Sequence, residues 1–198
     1  MIDLALGFLG SLGIAGLAYR KRSLSGSGML AAILVGTVLY YCGNLAWFGT
    51  LISFFISSSL LTKWKQKTKE KVEESYEKTG RRDAGQVLAN GGIGVLLCVG
   101  NYLWPHPLWW SAYIGVMAAV NADTWATEIG GLSRKPPRSI LTGKKVPAGT
   151  SGGISSLGLS ASMLGGLFIG TPGFYYRSLL LRQIIECRFI QSWIGGCC

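Results

Sequence analysis

Three long stretches of this chain contain no charged side chain. Asp, Glu, Lys and Arg are absent from residues 23–62, 84–122 and 146–176, which are 40, 39 and 31 residues long. A helix needs about 20 mostly apolar residues to cross a bilayer. The first two stretches therefore each have room for two membrane spans, and the third has room for one. A soluble protein of 198 residues has no use for such stretches, so the pattern predicts an integral membrane protein.

Turn-forming residues divide these stretches into separate spans. A Cys-Gly-Asn sequence at 42–44 interrupts the first stretch, and a Pro-His-Pro sequence at 105–107 interrupts the second. A further apolar run precedes the first basic residues. We therefore expect an all-α, polytopic transmembrane helix bundle of about six spans, near residues 4–19, 27–41, 45–61, 87–104, 108–127 and 154–174.

The basic residues mark one side of the membrane. Sixteen of the 19 Lys and Arg residues fall in three connections, at about residues 20–27, 62–86 and 129–150. Two spans separate each connection from the next, so all three lie on the same side. Basic connections are typically cytoplasmic, which places the N-terminus outside. We expect an integral protein of the inner membrane of a bacterial cell.

The formal net charge of +10 follows from this topology and needs no nucleic-acid partner. Only 14% of the residues are charged, compared with about 25% in ordinary soluble domains. Because the basic residues lie mostly in the predicted cytoplasmic connections, their distribution is explained without binding to DNA or RNA. No nucleic-acid partner is therefore expected.

The first of three polar clusters occupies residues 80–92, where a span begins at the predicted cytoplasmic surface. On a helix that starts near Asp83, this residue and Asn90 share one face. Asp83 also suits an N-cap, which is a structural role. Asn90 is expected to lie inside the membrane boundary, where an amide side chain is harder to explain by structure alone.

The second cluster, at residues 121–131, ends an otherwise apolar span. Asn121 and Glu128 share a helical face, whereas Asp123 and Glu128 lie about 140° apart on a regular helix. These two carboxylates can converge on one ion only if the helix ends or distorts before Glu128. Ionisable groups at membrane depth are costly and are usually functional. The alternative for Asp123 is an ion pair with a basic residue that anchors the helix end.

The third cluster, at residues 144–155, joins two lysines to a run of small residues. Glycines let backbone N–H groups approach phosphate oxygens, and the start of a helix favours anions. The pattern is not a Walker A motif. The residues concerned are Lys144, Lys145, Gly149, Thr150, Ser151, Gly152 and Gly153.

Together the clusters provide carboxylates, basic groups and a glycine-rich turn at one membrane surface. Carboxylates commonly bind Mg²⁺ together with substrate phosphates. Phosphoryl transfer depends mainly on positioning and on neutralising charge. The residues therefore predict phosphoryl or nucleotidyl transfer to a membrane lipid, and they leave open which lipid and which nucleotide take part.

At these clusters the chain resembles an integral membrane family that includes plant phytyl-phosphate kinase and human transmembrane protein 19. The resemblance rests on residues 15–20, 80–92, 122–131 and 149–155, and it covers roughly residues 1–170. It implies phosphorylation of an isoprenyl monophosphate to the diphosphate, with CTP as co-substrate. The order of residues 123–126 and 149–153 is also similar, more loosely, to polyprenol kinases and CDP-lipid synthases.

The preferred hypothesis is a magnesium- and CTP-dependent isoprenyl-phosphate kinase, in which each candidate residue has a role. Asp123 holds Mg²⁺, with Glu128 and Asp83 as further ligands, and Asn90 completes the catalytic set. Two alternatives remain: a CTP-dependent cytidylyltransferase acting on a lipid phosphate, and a transporter or scaffold without enzymatic activity. The residues expected to contact phosphates or nucleotide are Arg81, Arg82, Asn121, Lys144, Lys145, Gly149, Thr150, Ser151, Gly152 and Gly153.

The end of the chain departs from the family pattern. Residues 1–176 are expected to form the transmembrane domain, and residues 177–198 an atypical tail. Family members carry a late Asp-Ser motif with further spans, and this tail has no matching acidic motif. We expect the tail to reflect a truncated or frame-shifted product that lacks this motif.

Overall fold

A computed structural model describes residues 2–64, 81–133, 135–147 and 150–194, with side chains up to residue 178. These residues form a mostly helical bundle, which confirms the predicted fold class. A two-stranded antiparallel hairpin, β1 (Arg138–Ser139) and β2 (Gly153–Ile154), lies between the last two helices. The helices are α1 (Ile2–Arg20), α2 (Gly26–Val38), α3 (Leu45–Lys63), α4 (Ala84–Leu103), α5 (Pro107–Gly130) and α6 (Ser156–Ile194).

Both predicted interruptions of the apolar stretches are confirmed. A π-helical turn at Leu39–Gly43 extends α2, and the extended residue Asn44 then caps α3 by accepting the Ala46 N–H at 2.8 Å. His106 caps α5 in the same way, because its Nδ1 accepts the Leu108 N–H at 3.2 Å. Pro107 occupies the first helical position, where its missing N–H costs no hydrogen bond.

Five of these helices have the length and composition to cross a membrane. They are α1, α2 with its π-helical turn, α3, α4 and residues 156–178 of α6. The sixth helix, α5, is as long but carries more polar residues near its end. It packs against α3, α4 and α6. This central position gives the polar residues of α5 protein neighbours on several sides.

An aromatic cluster fixes α3 against α5. The ring centroids of Trp47 and Tyr113 lie 4.4 Å apart, and those of Trp47 and Trp110 lie 5.3 Å apart. All three side chains are buried. The Tyr113 hydroxyl donates to the Trp47 carbonyl at 2.7 Å, so its polar atom is satisfied inside the bundle. The cluster therefore combines a large apolar contact with a specific hydrogen bond.

Small residues bring α5 and α6 into close antiparallel contact. Gly130 lies against Gly158 near one end of the pair. A Cβ atom added to Gly165 would lie 2.9 Å from Trp125 Cγ, and one added to Gly173 would lie 2.6 Å from Ile114. Close backbone approach at glycines is a common way to pack helices within membranes. The glycines of the last span are therefore packing residues along most of its length.

The α6 helix continues across the predicted domain boundary at residue 176. Its backbone is helical from Ser156 to Ile194. Side chains after residue 178, and residues 195–198, lie outside the described part, as does the segment 65–80 within the predicted connection 62–86. The truncated or frame-shifted origin of the tail, the two-part division of the chain and the outside position of the N-terminus stay predictions.

The glycine contacts predict a position-specific cost within α6. Gly165→Ala should lower the free energy of unfolding by about 1–3 kcal/mol, because the new methyl group overlaps Trp125. Gly170→Ala is the matched control, since a Cβ there meets no atom within 4 Å. Thermal melting of both variants in detergent tests this difference. Equal melting temperatures for the two variants would contradict the proposed packing.

Candidate functional site

The last turns of α3 carry three hydroxyl groups that meet polar residues of the predicted site. We call them the α3 hydroxyls, and they belong to Ser57, Ser59 and Thr62. Ser59 and Thr62 lie about 4.5 Å apart along the helix and about 60° apart around it, whereas Ser57 lies on another side. Each hydroxyl lies within hydrogen-bond distance of a different side chain from the predicted site. The α3 hydroxyls therefore contact residues from two of the three clusters.

Asn121 is fully buried and joins three helices. Its Oδ1 lies 3.2 Å from Ser57 Oγ on α3, and its Nδ2 donates to the Gly165 carbonyl of α6 at 2.6 Å. Both ends of the amide thus have protein partners, as buried polar groups require. The arrangement gives Asn121 a structural role in holding α3, α5 and α6 together.

Glu128 faces α3 as well, as its helical spacing from Asn121 predicts. The half-buried carboxylate has its Oε1 2.7 Å from Thr62 Oγ1, and the same hydroxyl lies 2.9 Å from the Ser58 carbonyl. The Thr62 hydroxyl can donate its single proton to either oxygen. This contact links the end of α5 to the end of α3.

Asp123 lies on a different side of α5. The helix continues through Gly130, and Thr127 Oγ1 donates to the Asp123 carbonyl at 2.9 Å, as in a regular helix. The helix therefore does not end before Glu128, and the two carboxylates stay about 140° apart around its axis. Asp123 is exposed. In the described part of the chain, no three carboxylate, His or Cys side chains assemble into a group for a metal, so Asp83 does not join the other two.

Arg82 is held in place by its backbone and by its side chain. Its N–H donates to the Ser23 carbonyl at 3.0 Å, and its carbonyl accepts the Ser25 N–H at 3.0 Å. Its Nη1 donates to Ser59 Oγ at 2.9 Å, and its guanidinium carbon lies 5.7 Å from the centre of the Phe55 ring. Burial lowers the pKa of Arg82, although a guanidinium stays protonated at neutral pH.

A glycine makes this position of Arg82 possible. A Cβ atom on Gly28, in the first turn of α2, would overlap the Arg82 carbonyl oxygen. The connection between α1 and α2 can therefore pair directly with the residue that precedes α4. This contact joins the first and second basic connections, so the described basic residues on these connections belong to one end of the bundle.

The other residues of the first cluster have separate surroundings. Asp83 caps α4, because its Oδ1 accepts the Gln86 N–H at 2.8 Å. This confirms the structural role that its position at the helix start allowed. Arg81 is exposed, whereas Asn90 is half-buried and lines a cavity beside Arg82. The cluster is therefore divided between a helix cap, an exposed cation and the wall of a cavity.

The third cluster forms part of the hairpin between α5 and α6. Lys144 and Lys145 are exposed at its surface, and Gly149 lies outside the described residues. Gly153 N–H donates to the Thr150 carbonyl at 3.0 Å, and Gly152 has a φ of +75°, a conformation that favours glycine. The turn thus uses the Gly153 N–H internally.

Two backbone donors of this turn point to no acceptor in the part of the chain that the structure describes. They are the N–H groups of Ser151 and Gly152, both exposed residues. Thr150 is exposed as well, and its hydroxyl donates to the Pro147 carbonyl at 2.9 Å. The Ser151 and Gly152 donors of the predicted phosphate cradle therefore remain available for an anion. Lys144 and Lys145 of the same hairpin are available as well.

Sequence reasoning missed the α3 hydroxyls. The signal is present as a Ser-Ser-Ser-Leu-Leu-Thr sequence at the end of an apolar span. Hydroxyls in helices commonly bond to the preceding turn of their own backbone, so such a sequence does not indicate a partner. Only the fold shows that these hydroxyls meet Arg82, Asn121 and Glu128.

The buried amide predicts a loss of stability when it is removed. Asn121→Ala should lower the free energy of unfolding by about 1–3 kcal/mol, because it leaves the Gly165 carbonyl without its donor. Asn101→Ala on α4 is the control, since the structure gives that side chain no comparable bridge between helices. Melting in detergent measures both variants. A melting temperature for Asn121→Ala that matches the control would contradict the structural role.

Comparison with known proteins supports the membrane fold. A family model described as integral membrane protein DUF92 matches residues 9–197. Protein PGR of Arabidopsis thaliana is 36% identical over 171 residues, which cover 79% of this chain and 59% of that protein. Uncharacterized membrane protein MJ0933 of Methanocaldococcus jannaschii is 32% identical over 160 residues, covering 78% and 63% of the two chains.

A further relative is Protein VTE6, chloroplastic, of Arabidopsis thaliana. It is 28% identical over 172 residues, which cover 83% of this chain and 51% of that protein. The chain thus spans about half to three-fifths of the length of the curated relatives it matches. No solved structure matches it.

Proposed function

The chain belongs to the DUF92 family of integral membrane proteins, and we propose that it transfers a phosphoryl group from CTP to an isoprenyl monophosphate. An oxygen of the lipid phosphate attacks the γ-phosphorus of CTP. The bond from that phosphorus to the bridging oxygen breaks, which yields the lipid diphosphate and CDP. The family resemblance supplies the identities of the nucleotide and the lipid class.

The contacts of the α3 hydroxyls are the observation that carries this proposal. A cation, Arg82, and a carboxylate, Glu128, contact Ser59 and Thr62, which lie about 4.5 Å apart along one helix at the end of an apolar bundle. A lipid phosphate combines an apolar chain with an anionic head group. A bundle with apolar helices and charged groups at one end matches that chemistry.

The carboxylates also suit a divalent cation, although they do not form a three-residue group. Mg²⁺ commonly binds through one or two carboxylates together with substrate phosphates and water. In the proposal, exposed Asp123 holds this ion, which neutralises phosphate charge during transfer. Glu128 remains a further candidate ligand.

The hairpin is the proposed contact for the nucleotide. Lys144 and Lys145 are exposed in the same hairpin as the Ser151 and Gly152 N–H groups. Lysines and free backbone N–H groups are typical phosphate contacts. Because the hairpin lies outside the bundle, a nucleotide reaches it from water without crossing an apolar region. Asn90 and Arg81 complete the set of proposed site residues.

Turnover in membranes that contain the chain tests this function. γ-Labelled CTP with Mg²⁺ and farnesyl or phytyl monophosphate should yield a labelled lipid diphosphate. Asp123→Asn should lower the rate by about 100-fold, because it removes a ligand of the Mg²⁺ ion that neutralises the phosphates in the proposal. Thin-layer chromatography of the extracted lipids measures the product. A second reaction with α-labelled CTP reports whether the nucleotide itself is transferred.

The outcomes separate the proposed reaction from its alternatives. Lipid labelled from α-labelled CTP, with pyrophosphate released, would indicate a cytidylyltransferase instead. Substrate-dependent charge movement without nucleotide turnover would indicate a transporter. Full activity in Asp123→Asn would remove the metal assignment, and no labelled lipid from folded wild-type protein would overturn the kinase proposal. Melting of the chain in detergent, as above, establishes that the protein assayed is folded.

A further inference from the structure

A cavity of about 50 Å³ lies beside Arg82 between α1, α2, α3 and α4. Most of its wall consists of apolar side chains, among them Val35, Leu51 and Phe55. By the usual measure of about 10–15 Å³ for each water-sized group, it has room for about four such groups. This small volume suits the first carbon atoms of one chain.

The cavity extends from the basic end of the bundle into its apolar part. Arg82 precedes α4 and lines one end, whereas Ser11 lies nine residues before the end of α1, or about 13.5 Å along that helix. Ser11 is buried, and its hydroxyl has no hydrogen-bond partner in the described part of the chain. The cavity thus continues well below the level of the charged groups.

The positive charge of Arg82 has no carboxylate partner among the described residues. Its side chain contacts the Ser59 hydroxyl and the Phe55 ring, which are both uncharged. A half-buried charge without a counter-ion is costly, and an anion beside it would offset that cost. The guanidinium and the hydroxyl can bond to two oxygens of the same phosphate.

We propose that this cavity is the binding site for a single-chain lipid phosphate, with the phosphate at Arg82 and Ser59. The carbons next to the phosphate enter the cavity, and the rest of the chain leaves between the helices. The identification of this ligand as the isoprenyl acceptor rests on the proposed function, whereas binding of a single-chain lipid phosphate does not. Arg82 then serves the acceptor, and the hairpin lysines serve the nucleotide.

Equilibrium binding of radiolabelled farnesyl monophosphate to the purified chain in phosphatidylcholine nanodiscs tests the proposal. Arg82→Gln should weaken binding by about tenfold or more, because it removes the charge that faces the phosphate. Arg20→Gln is the matched control, since Arg20 is exposed at the same end of the bundle and does not line the cavity. Equal affinity for the two variants would overturn the proposal.

The apolar part of the site needs its own variant. Ala32→Phe should fill the cavity and weaken binding by a similar factor, whereas Leu34→Phe on the exposed face of α2 should not. If Ala32→Phe lowers the melting temperature, competition of unlabelled ligands for binding to wild-type protein tests the site instead.

Farnesol, inorganic phosphate and dioleoyl phosphatidic acid should each compete at least tenfold more weakly than unlabelled farnesyl monophosphate for the wild-type protein. Equal competition by any of them would contradict a site for both head group and single chain.

Binding and turnover fail in distinguishable ways. Binding that depends on Arg82, in a chain that transfers no phosphate from CTP, would leave the lipid site intact and overturn the kinase proposal. If the chain transfers phosphate from CTP, and Arg82→Gln and Ala32→Phe bind farnesyl monophosphate as the wild type does, the kinase proposal stands and the lipid site in this cavity is overturned.

Discussion

The bundle depends on satisfying polar side chains where no water is available. An unpaired polar group in an apolar environment costs several kcal/mol, roughly 2–7 by transfer measurements, and the buried polar side chains that join α5 to α3 and α6 all have protein partners. Asn121 meets this requirement through α3 and α6, and Tyr113 through the Trp47 carbonyl. The Trp110 indole N–H donates to the Gly173 carbonyl at 3.0 Å for the same reason. These bonds fix α5 against α3 and α6, and the positions of its acidic residues follow.

The polar contacts and the glycine contacts depend on one another. The Asn121 amide reaches the Gly165 carbonyl because α6 approaches α5 closely at that residue. A larger residue there would separate the helices and break the hydrogen bond as well. Gly165, which could be taken for a flexible position, therefore helps to hold the helices of the site together. A loss of activity in a variant at Gly165 would report displaced helices and not lost chemistry.

The features that the sequence predicted are local ones. The helix breaks, the cap at Asp83 and the shared face of Asn121 and Glu128 follow from neighbouring residues and from helical periodicity. The pairing of Ser59 with Arg82 and of Thr62 with Glu128 joins residues 23 and 66 positions apart. No local pattern specifies such pairs, because a serine at a helix end is equally suited to bond to its own backbone. The hairpin strands were also missed, since two-residue strands carry too little alternation to be recognised.

The charged groups at the basic end fall into an inner and an outer set. Arg82 and Glu128 are half-buried against α3, whereas Asp123, Lys144 and Lys145 are exposed. A transfer between two phosphates must bring two anions together and neutralise both. A lipid phosphate is confined by its chain, so a cation fixed beside an apolar cavity suits it. A nucleotide arrives from water and suits exposed groups. In the proposed function, this division of the charges matches the division between a membrane-bound acceptor and a soluble donor, so each set of charged groups would contact a different phosphate.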